Sequence, residues 1–300
     1  MTTTETPRTP IDTAARKPRD DEIDVFGLTH PGKVRAVNQD HFLICSLQKK
    51  LQVHLTSLPN VERLPLDMQR MAFLAMVADG VGGGAMGEEA SRLALERVSE
   101  YVARCMNCYY SSDATDEEAF TRELQDAAMR CHQDLLKRAE EDSDTLGMAT
   151  TLTVWLGVWP RAYLLHVGDS RCYILRDDKL VQLSRDQTMA QELVDLGVLK
   201  AAEASTTKWA NVLSSSIGGP QTAPVVYQME QKWGQAGLLC SDGLTRHVSD
   251  DQIRDRLMSM TSSRQVCEQL LQDALDGGGT DNITIVVGRT IQKPQEWRGA

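Results

Sequence analysis

Apolar, β-branched runs joined by connections too short to hold a helix constrain this chain more than any other feature. Strand-like runs fall at 24–29 (DVFGLT), 41–47 (HFLICSL), 51–57 (LQVHLTS), 71–79, 151–159, 161–169, 171–177, 179–184, 224–230, 236–242 and 282–288 (NITIVVG). Trp159-Pro160-Arg161 and Arg176-Asp177-Asp178-Lys179 leave no room for a crossover helix, so the strands they join are expected as antiparallel hairpins. Helical periodicity appears in two long stretches, Ala90, Leu93, Ala94, Val98, Tyr101, Cys105 and then Phe120, Leu124, Ala127, Cys131, Leu135. Thr115 with Glu118 reads as a capping box for the second, and Ser249 with Gln252 and Ser262 with Gln265 mark two shorter helices near the C-terminus. Strand blocks with internal hairpins, alternating with helical blocks, indicate an α+β class in which sheets pack on each other with helices outside.

A chain of 300 residues with 41% hydrophobic content can bury a full core. No window approaches the roughly 20 apolar residues of a membrane span, and the N-terminus carries Thr, Pro and charge instead of a signal sequence. A soluble, cytoplasmic protein without a membrane partner is expected. The formal charge of −10 argues against nucleic acid as a partner. The 7 cysteines are odd in number and lie mostly in apolar runs, which suits reduced core thiols better than a disulfide framework. Cys105 and Cys108 form a C-x-x-C on a helical pattern with no second pair, so helix packing is the simpler reading than zinc. Residues 1–22 read as a disordered N-terminal tail and 291–300 as a C-terminal tail, leaving one domain over 23–290.

The segment VADGVGGGAMGEEAS (77–91) contains Gly82, Gly84 and Gly87 in the frame G-x-G-x-x-G after an apolar run. A dinucleotide site needs a second parallel strand after its helix and an acid about 20 residues on, whereas residues 101–140 continue as helix. Glu88 stands where a P-loop places lysine, and Asp79 ahead of the glycines repels a pyrophosphate unless a cation lies between. The turn therefore asks for a metal.

Aspartates recur at comparable places. Asp40 and Asp281 open strands, and Asp79 and Asp242 close them. Asp favours turns and caps, so each alone is weak. Together they can converge on one sheet rim, where carboxylates without lysines stay ionised only if divalent cations neutralise them. Oxygen ligation selects Mg²⁺ or Mn²⁺, and two such ions roughly 3.5 to 4 Å apart can clamp a phosphoryl group. The 6 histidines form no H-E-x-x-H, which speaks against histidine-bound zinc.

Six motifs in order carry a resemblance: Arg35-Ala-Val-Asn38-Gln39-Asp40, Ala78-Asp79-Gly80-Val-Gly82-Gly83, Met148-Ala149-Thr150-Thr151, Val167-Gly168-Asp169-Ser170-Arg171, Ser241-Asp242-Gly243-Leu244-Thr245 and Gly279-Thr-Asp281-Asn282. The chain resembles the metal-dependent serine/threonine protein phosphatases, the PPM or type-2C family, in its bacterial form. The resemblance implies a four-layer α/β/β/α sandwich with a binuclear Mn²⁺/Mg²⁺ centre at one end of two central, mostly antiparallel sheets. Asp79 is then expected to bridge both ions and the Gly80 carbonyl to bind one. Asp40 serves that same ion directly or through water, and Asp242 and Asp281 hold the other. Arg35 is expected as the phosphate fork. The implied reaction is hydrolysis of phosphoserine or phosphothreonine in proteins by a bridging metal-bound hydroxide, on substrates of a serine/threonine kinase, by a monomer.

Departures from the family pattern are Val81 in place of a frequent histidine, Ala149 in place of a glycine, and Ser184-Arg-Asp186-Gln187-Thr188 in place of Thr-x-Asp-His-Ser. A third, weaker ion in bacterial members makes Asp144 a candidate ligand, beside the alternative of a solvated acidic loop at 140–144. Asp169 and Arg171 read as support behind the ligands. Residues 189–219 fall at the family's flap, with a helical pattern at Leu193, Leu196 and Val198 and Trp209 for contact, a stretch that equally fits a packed role. Two other classes remain as alternatives: a catalytically weak phosphatase-like module that binds phosphoproteins, and an NAD-dependent oxidoreductase built on Gly82, Gly84 and Gly87.

Overall fold

The computed structural model describes residues 16–50, 52–53, 69–82, 85–111, 117–142 and 145–294. Two sheets form the centre. The first has the order β1 (Ile23–His30), β11 (Ile283–Thr290), β10 (Ala236–Cys240), β7 (Arg171–Arg176), β8 (Lys179–Gln182). The second has β2 (Asp40–Lys49), β3 (Gln69–Val81), β5 (Leu152–Val158), β6 (Arg161–Val167), β9 (Val225–Glu230), with the short β4 (Ala149–Thr150) on the end of β3. Every pairing among them is antiparallel, as the short connections require. Both expected hairpins form. In the β7–β8 turn, Asp177 and Asp178 take φ of 48° and 61°, the left-handed pair of a tight hairpin that aspartate tolerates better than β-branched residues.

The layers follow from strand periodicity. On β3, Ala72, Leu74, Met76 and Ala78 face the long helices α1 (Ala85–Ser111) and α2 (Glu117–Glu141), while Phe73, Ala75 and Val77 face the other sheet. On β11, Ile283, Ile285 and Val287 pack under α6 (Asp250–Met258) and α7 (Ser263–Asp276), and Val286 turns inward. The result is the expected α/β/β/α sandwich. Fully burying one such aliphatic side chain contributes roughly 1.5–3 kcal/mol, so these three layers hold the rims in place.

Ser249 caps α6 in a reciprocal box with Gln252, and Ser262 caps α7 by accepting from the Gln265 amide, as their spacing predicts. The strand expected at 51–57 is described only at 52–53, outside any element, and Thr115 of the third expected capping box lies outside the described residues. The flap holds two short helices, α3 (Met189–Asp195) capped by Thr188, and α4 (Ala201–Ala204). Helix α3 stops before Leu196 and Val198, which are 76% and 71% exposed, so the periodicity read through them does not continue as helix. The chain is ordered earlier than the compositional boundary at 22: Asp20–Glu22 form a 3-10 turn, and Glu22 is buried, accepting from Arg16 and from the Arg19 and Lys293 amides. No helix among the described residues is long and apolar enough to cross a membrane.

Inside the second sheet, His166 on β6 lies across from Thr153 on β5, 3.0 Å from its hydroxyl through Nδ1, with Nε2 3.1 Å from the Arg185 carbonyl. The Arg185 carbonyl is an acceptor only, so Nε2 carries the proton and Nδ1 accepts. Burial lowers the His166 pKa to about 4. A histidine with a depressed folded pKa contributes stability above its unfolded value near 6.5, and loses it as pH falls toward 4. Wild-type stability in urea should fall by up to about 3 kcal/mol from this group over that window. His166→Gln should show a shallower decline; an identical slope would remove His166 as the cause.

Candidate active site

Parity on the strands brings the acids together. Asp40 and Asp79 are direct partners in the β2–β3 register, on the inter-sheet side with Phe42, Ile44 and Val77. Asp242 and Asp281 follow β10 and precede β11, neighbours in the other sheet. These positions fall at the same rim of the sandwich, around a cleft of about 850 Å³ lined by Arg35, Asp79, Gly80, Asp169, Asp242, Arg246 and Asp281 among others. Asp40 lies behind that wall. It is 2% exposed, its Oδ2 accepts from Ser241 Oγ at 2.6 Å across the two sheets, and its Oδ1 has no partner.

The glycines serve close approach. A Cβ at Gly80 would lie 2.0 Å from the Gly87 carbonyl oxygen, and one at Gly87 would meet the Gln39 side chain at 2.4 Å. The end of β3 therefore folds tightly against the start of α1 and leaves a carboxylate and a carbonyl facing the cleft. After α1 and α2 the chain returns antiparallel to β3 as β5, which excludes the parallel unit of a dinucleotide fold. Gly84 of the formal nucleotide frame lies outside the described residues, as does Asp144.

The remaining motif residues act as clamps. The Asp79 amide donates to Thr151 Oγ1 at 2.9 Å, and its carbonyl accepts from the Thr151 amide and the Thr150 hydroxyl, both at 2.9 Å. Asn282 holds the loop that carries Arg35: its Nδ2 donates to the carbonyls of Pro31 and Val37, and its Oδ1 accepts from the Gln39 amide. Arg171 donates to Asp186 at 2.7 Å and to the Tyr173 hydroxyl at 3.0 Å, and that hydroxyl donates onward to Asp250. Gln187, where the family pattern has histidine, accepts from the Gly168 amide and donates to the Ala223 carbonyl, both at 2.9 Å, a structural role. Val81 sits on the lip of the cleft, 42% exposed.

Electrostatics define the demand. Burial, followed by repulsion from Asp40 and Asp242, holds Asp79 well above the usual carboxylate range. Burial with repulsion from Asp242 does the same to Asp169, and burial raises both Asp40 and Asp242. Arg35 and Arg246 answer part of this negative charge. Arg35 bonds Asp281 at 2.8 and 2.9 Å, and Arg246 donates to Asp281 at 2.9 Å while also pairing with Asp242. Among the described residues no three acid, His or Cys side chains close on a common point, and guanidinium groups lie across Asp242 and Asp281. Sequence reading missed Arg246. Its signal is spacing: four residues after Asp242 on the helical turn α5 (Asp242–Thr245), it shares a face with that carboxylate.

Oxygen-only donors on one concave wall, with an orphaned buried acceptor at Asp40 behind it, fit hard divalent cations. A two-sheet sandwich with such a rim defines an acidic cleft whose donors are all oxygen. The comparisons specify the family. Residues 66–277 match the sequence profile described as Protein phosphatase 2C, and this chain belongs to that family. It is 34% identical over 221 residues to the serine/threonine protein phosphatase PstP of Mycobacterium tuberculosis, covering 73% of this chain and 41% of that protein, so the chain spans less than half of that relative's length. It is 30% identical over 219 residues to the protein phosphatase PhpP of Streptococcus pneumoniae, covering 71% of this chain and 84% of that one. The catalytic domain of PstP in complex with two manganese ions superposes with a TM-score of 0.67 at 29% identity, covering 90% of this chain and 99% of that domain.

Proposed function

We propose that this protein is a metal-dependent phosphatase that hydrolyses phosphoserine and phosphothreonine in proteins. The observation that carries the reading is the convergence of Asp79, Asp169, Asp242 and Asp281 from both sheets on one cleft, with Asp40 behind them and two guanidinium groups among them. Two divalent ions, held by Asp79, the Gly80 carbonyl, Asp242 and Asp281 with Asp40 in support, would supply Lewis acidity and activate water. The chain's own residues do the rest. Thr150 and Thr151 fix the Asp79 backbone, so its carboxylate keeps one orientation as the substrate binds. Arg35 and Arg246 point into the same cleft, where each planar fork can take two phosphoryl oxygens and offset charge as it develops. Leaving-group protonation falls to water, because the exposed Val81 on the lip offers no proton. The substrates in this reading are phosphoproteins made by a serine/threonine kinase, met by a cytoplasmic monomer.

The test is phosphate release from a phosphothreonine peptide in millimolar Mn²⁺ and again in EDTA. Release that needs Mn²⁺ supports the reading; no release by folded protein that still binds the peptide would replace it with the phosphoprotein-binding module. Within the active enzyme, Arg35→Ala should lower kcat/KM about 10- to 100-fold, the value of one or two charge-assisted hydrogen bonds. Arg246→Ala has two consequences to separate. It frees Asp242 and Asp281 from a competing cation, so Mn²⁺ should bind more tightly by calorimetry while the peptide KM rises. Unchanged Mn²⁺ affinity would show that Arg246 does not occupy those carboxylates in solution.

A further inference from the structure

Asp242 and Asp281 stand beyond the paired part of their sheet. The ladder between β10 and β11 ends at Cys240 opposite Ile285, so strand pairing alone does not fix how far apart the two carboxylates lie. On its C-terminal side Asp281 is steadied by the Asn282 clamp and by the Ser241 amide, which donates to the Thr284 carbonyl at 3.1 Å. On its N-terminal side the chain leaves α7 through Gly277-Gly278-Gly279-Thr280, with Gly278 and Gly279 at φ 132° and 55°. Consecutive glycines carry no side chain to hold a turn and lose the most backbone freedom on folding, so support must come from another element. The backbone supplies two bonds, from the Gly279 amide to the Ala274 carbonyl at 2.9 Å and from the Lys33 amide to the Gly279 carbonyl at 2.7 Å. Both stop short of Thr280 and Asp281.

His247 supplies the missing support. It follows the turn that opens with Asp242: the Arg246 amide donates to the Asp242 carbonyl at 2.9 Å, and the His247 amide donates to the Leu244 carbonyl at 3.1 Å. The residue lies against the glycines, since a Cβ on Gly277 would sit 2.9 Å from His247 Cβ and one on Gly278 would sit 3.2 Å from His247 Cε1. The Thr280 amide donates to His247 Nε2 at 3.0 Å, and Thr280 Oγ1 is 2.8 Å from the same nitrogen. A backbone N–H only donates, so Nε2 presents its lone pair, Nδ1 carries the proton, and the Thr280 hydroxyl donates to Nε2 as well. The bond thus joins the residue before Asp281 to the turn that begins at Asp242. His247 does not itself line the cleft.

We propose that His247 is a positioning residue of the metal site: as acceptor for the Thr280 amide, its Nε2 holds the Asp281 carboxylate at a set distance from Asp242, so that one divalent ion can engage both. The inference rests on the metal-dependent reading above. A carboxylate whose turn is already ordered binds its ion without the cost of ordering it, and losing such an outer hydrogen bond lowers metal affinity or activity roughly 10- to 100-fold. The role belongs to the acceptor and not to the bulk of the ring.

The experiment is a calorimetric Mn²⁺ titration of the full chain, wild type against His247→Gln, His247→Phe and His247→Ala, with the Tm of each in EDTA as the check on folding. Glutamine can place its carbonyl oxygen where Nε2 stands and accept from Thr280. Phenylalanine keeps a ring against the glycines and accepts nothing. Alanine also accepts nothing and inserts no larger ring, so it decides the matter if the Phe variant does not fold. Mn²⁺ affinity should fall about tenfold in the Phe and Ala variants and stay within about threefold of wild type in the Gln variant. Equal affinity in all the folded proteins overturns the proposal. So does a loss in Gln with retention in Phe, which would make the role one of packing. A folded wild type that takes up no Mn²⁺ is a different failure: it removes the metal-dependent reading, and the proposal falls with it.

Discussion

Asp242→Asn should reduce phosphate release by roughly 10²- to 10³-fold, the effect of removing about 3–4 kcal/mol of transition-state stabilisation. The same change should raise the stability of the protein in EDTA. Asp242 repels Asp79 and Asp169 in a site whose burial already penalises charge, and the neutral amide removes that repulsion. Wild-type protein should gain about 2.7 kcal/mol at a Mn²⁺ concentration 100 times its Kd, while the variant should gain much less. A pair of melting curves with and without Mn²⁺ separates the two effects. A variant that is less stable than wild type in EDTA and responds normally to Mn²⁺ would remove Asp242 from the metal set.

Arg171→Ala should lower stability by about 3 kcal/mol, the low end for leaving a largely buried carboxylate without its cation. Arg171 begins β7, opposite Cys240 in the register with β10, two residues before Asp242. It pairs with Asp186, whose carboxylate also accepts from Gln182, and donates to Tyr173, which leads to Asp250 at the start of α6. Truncation leaves Asp186 largely buried without its cation and Tyr173 without one of its partners. Urea unfolding measures the loss. Because β7 lies against β10, Mn²⁺ affinity should fall as well; a variant that loses stability with unchanged Mn²⁺ affinity would show that the network holds α6 and β8 but not the rim.

Much of the sandwich was legible because its signals are local. The hairpins at Pro160 and at Asp177-Asp178 follow from connection length, and the caps at Ser249 and Ser262 follow from a spacing of three. The flap shows where such reasoning fails. Leu196 and Val198 continue a helical pattern on paper, yet α3 ends at Asp195 and Gly197 takes φ +70°, a conformation that closes the helix. The two-residue strand β4 carries no periodic signal of its own. It exists because β3 runs past its sheet and offers backbone groups at Gly80 and Val81.

The sequence by itself determined which side chains are acidic, that they sit at strand ends, and, through six ordered motifs, the family to which the chain belongs. Strand parity then put Asp40 and Asp79 on one face without further help, since opposed residues in a register share a side. Only the tertiary structure decided that Asp40 stands behind the wall and Asp169 in it, because depth depends on how one sheet packs over the other. Arg246 and the bond from Thr280 to His247 belong to the same category. A guanidinium that reaches a residue from another strand, and an imidazole that holds a turn 33 residues away, are properties of packing across sequence separations that no local pattern encodes.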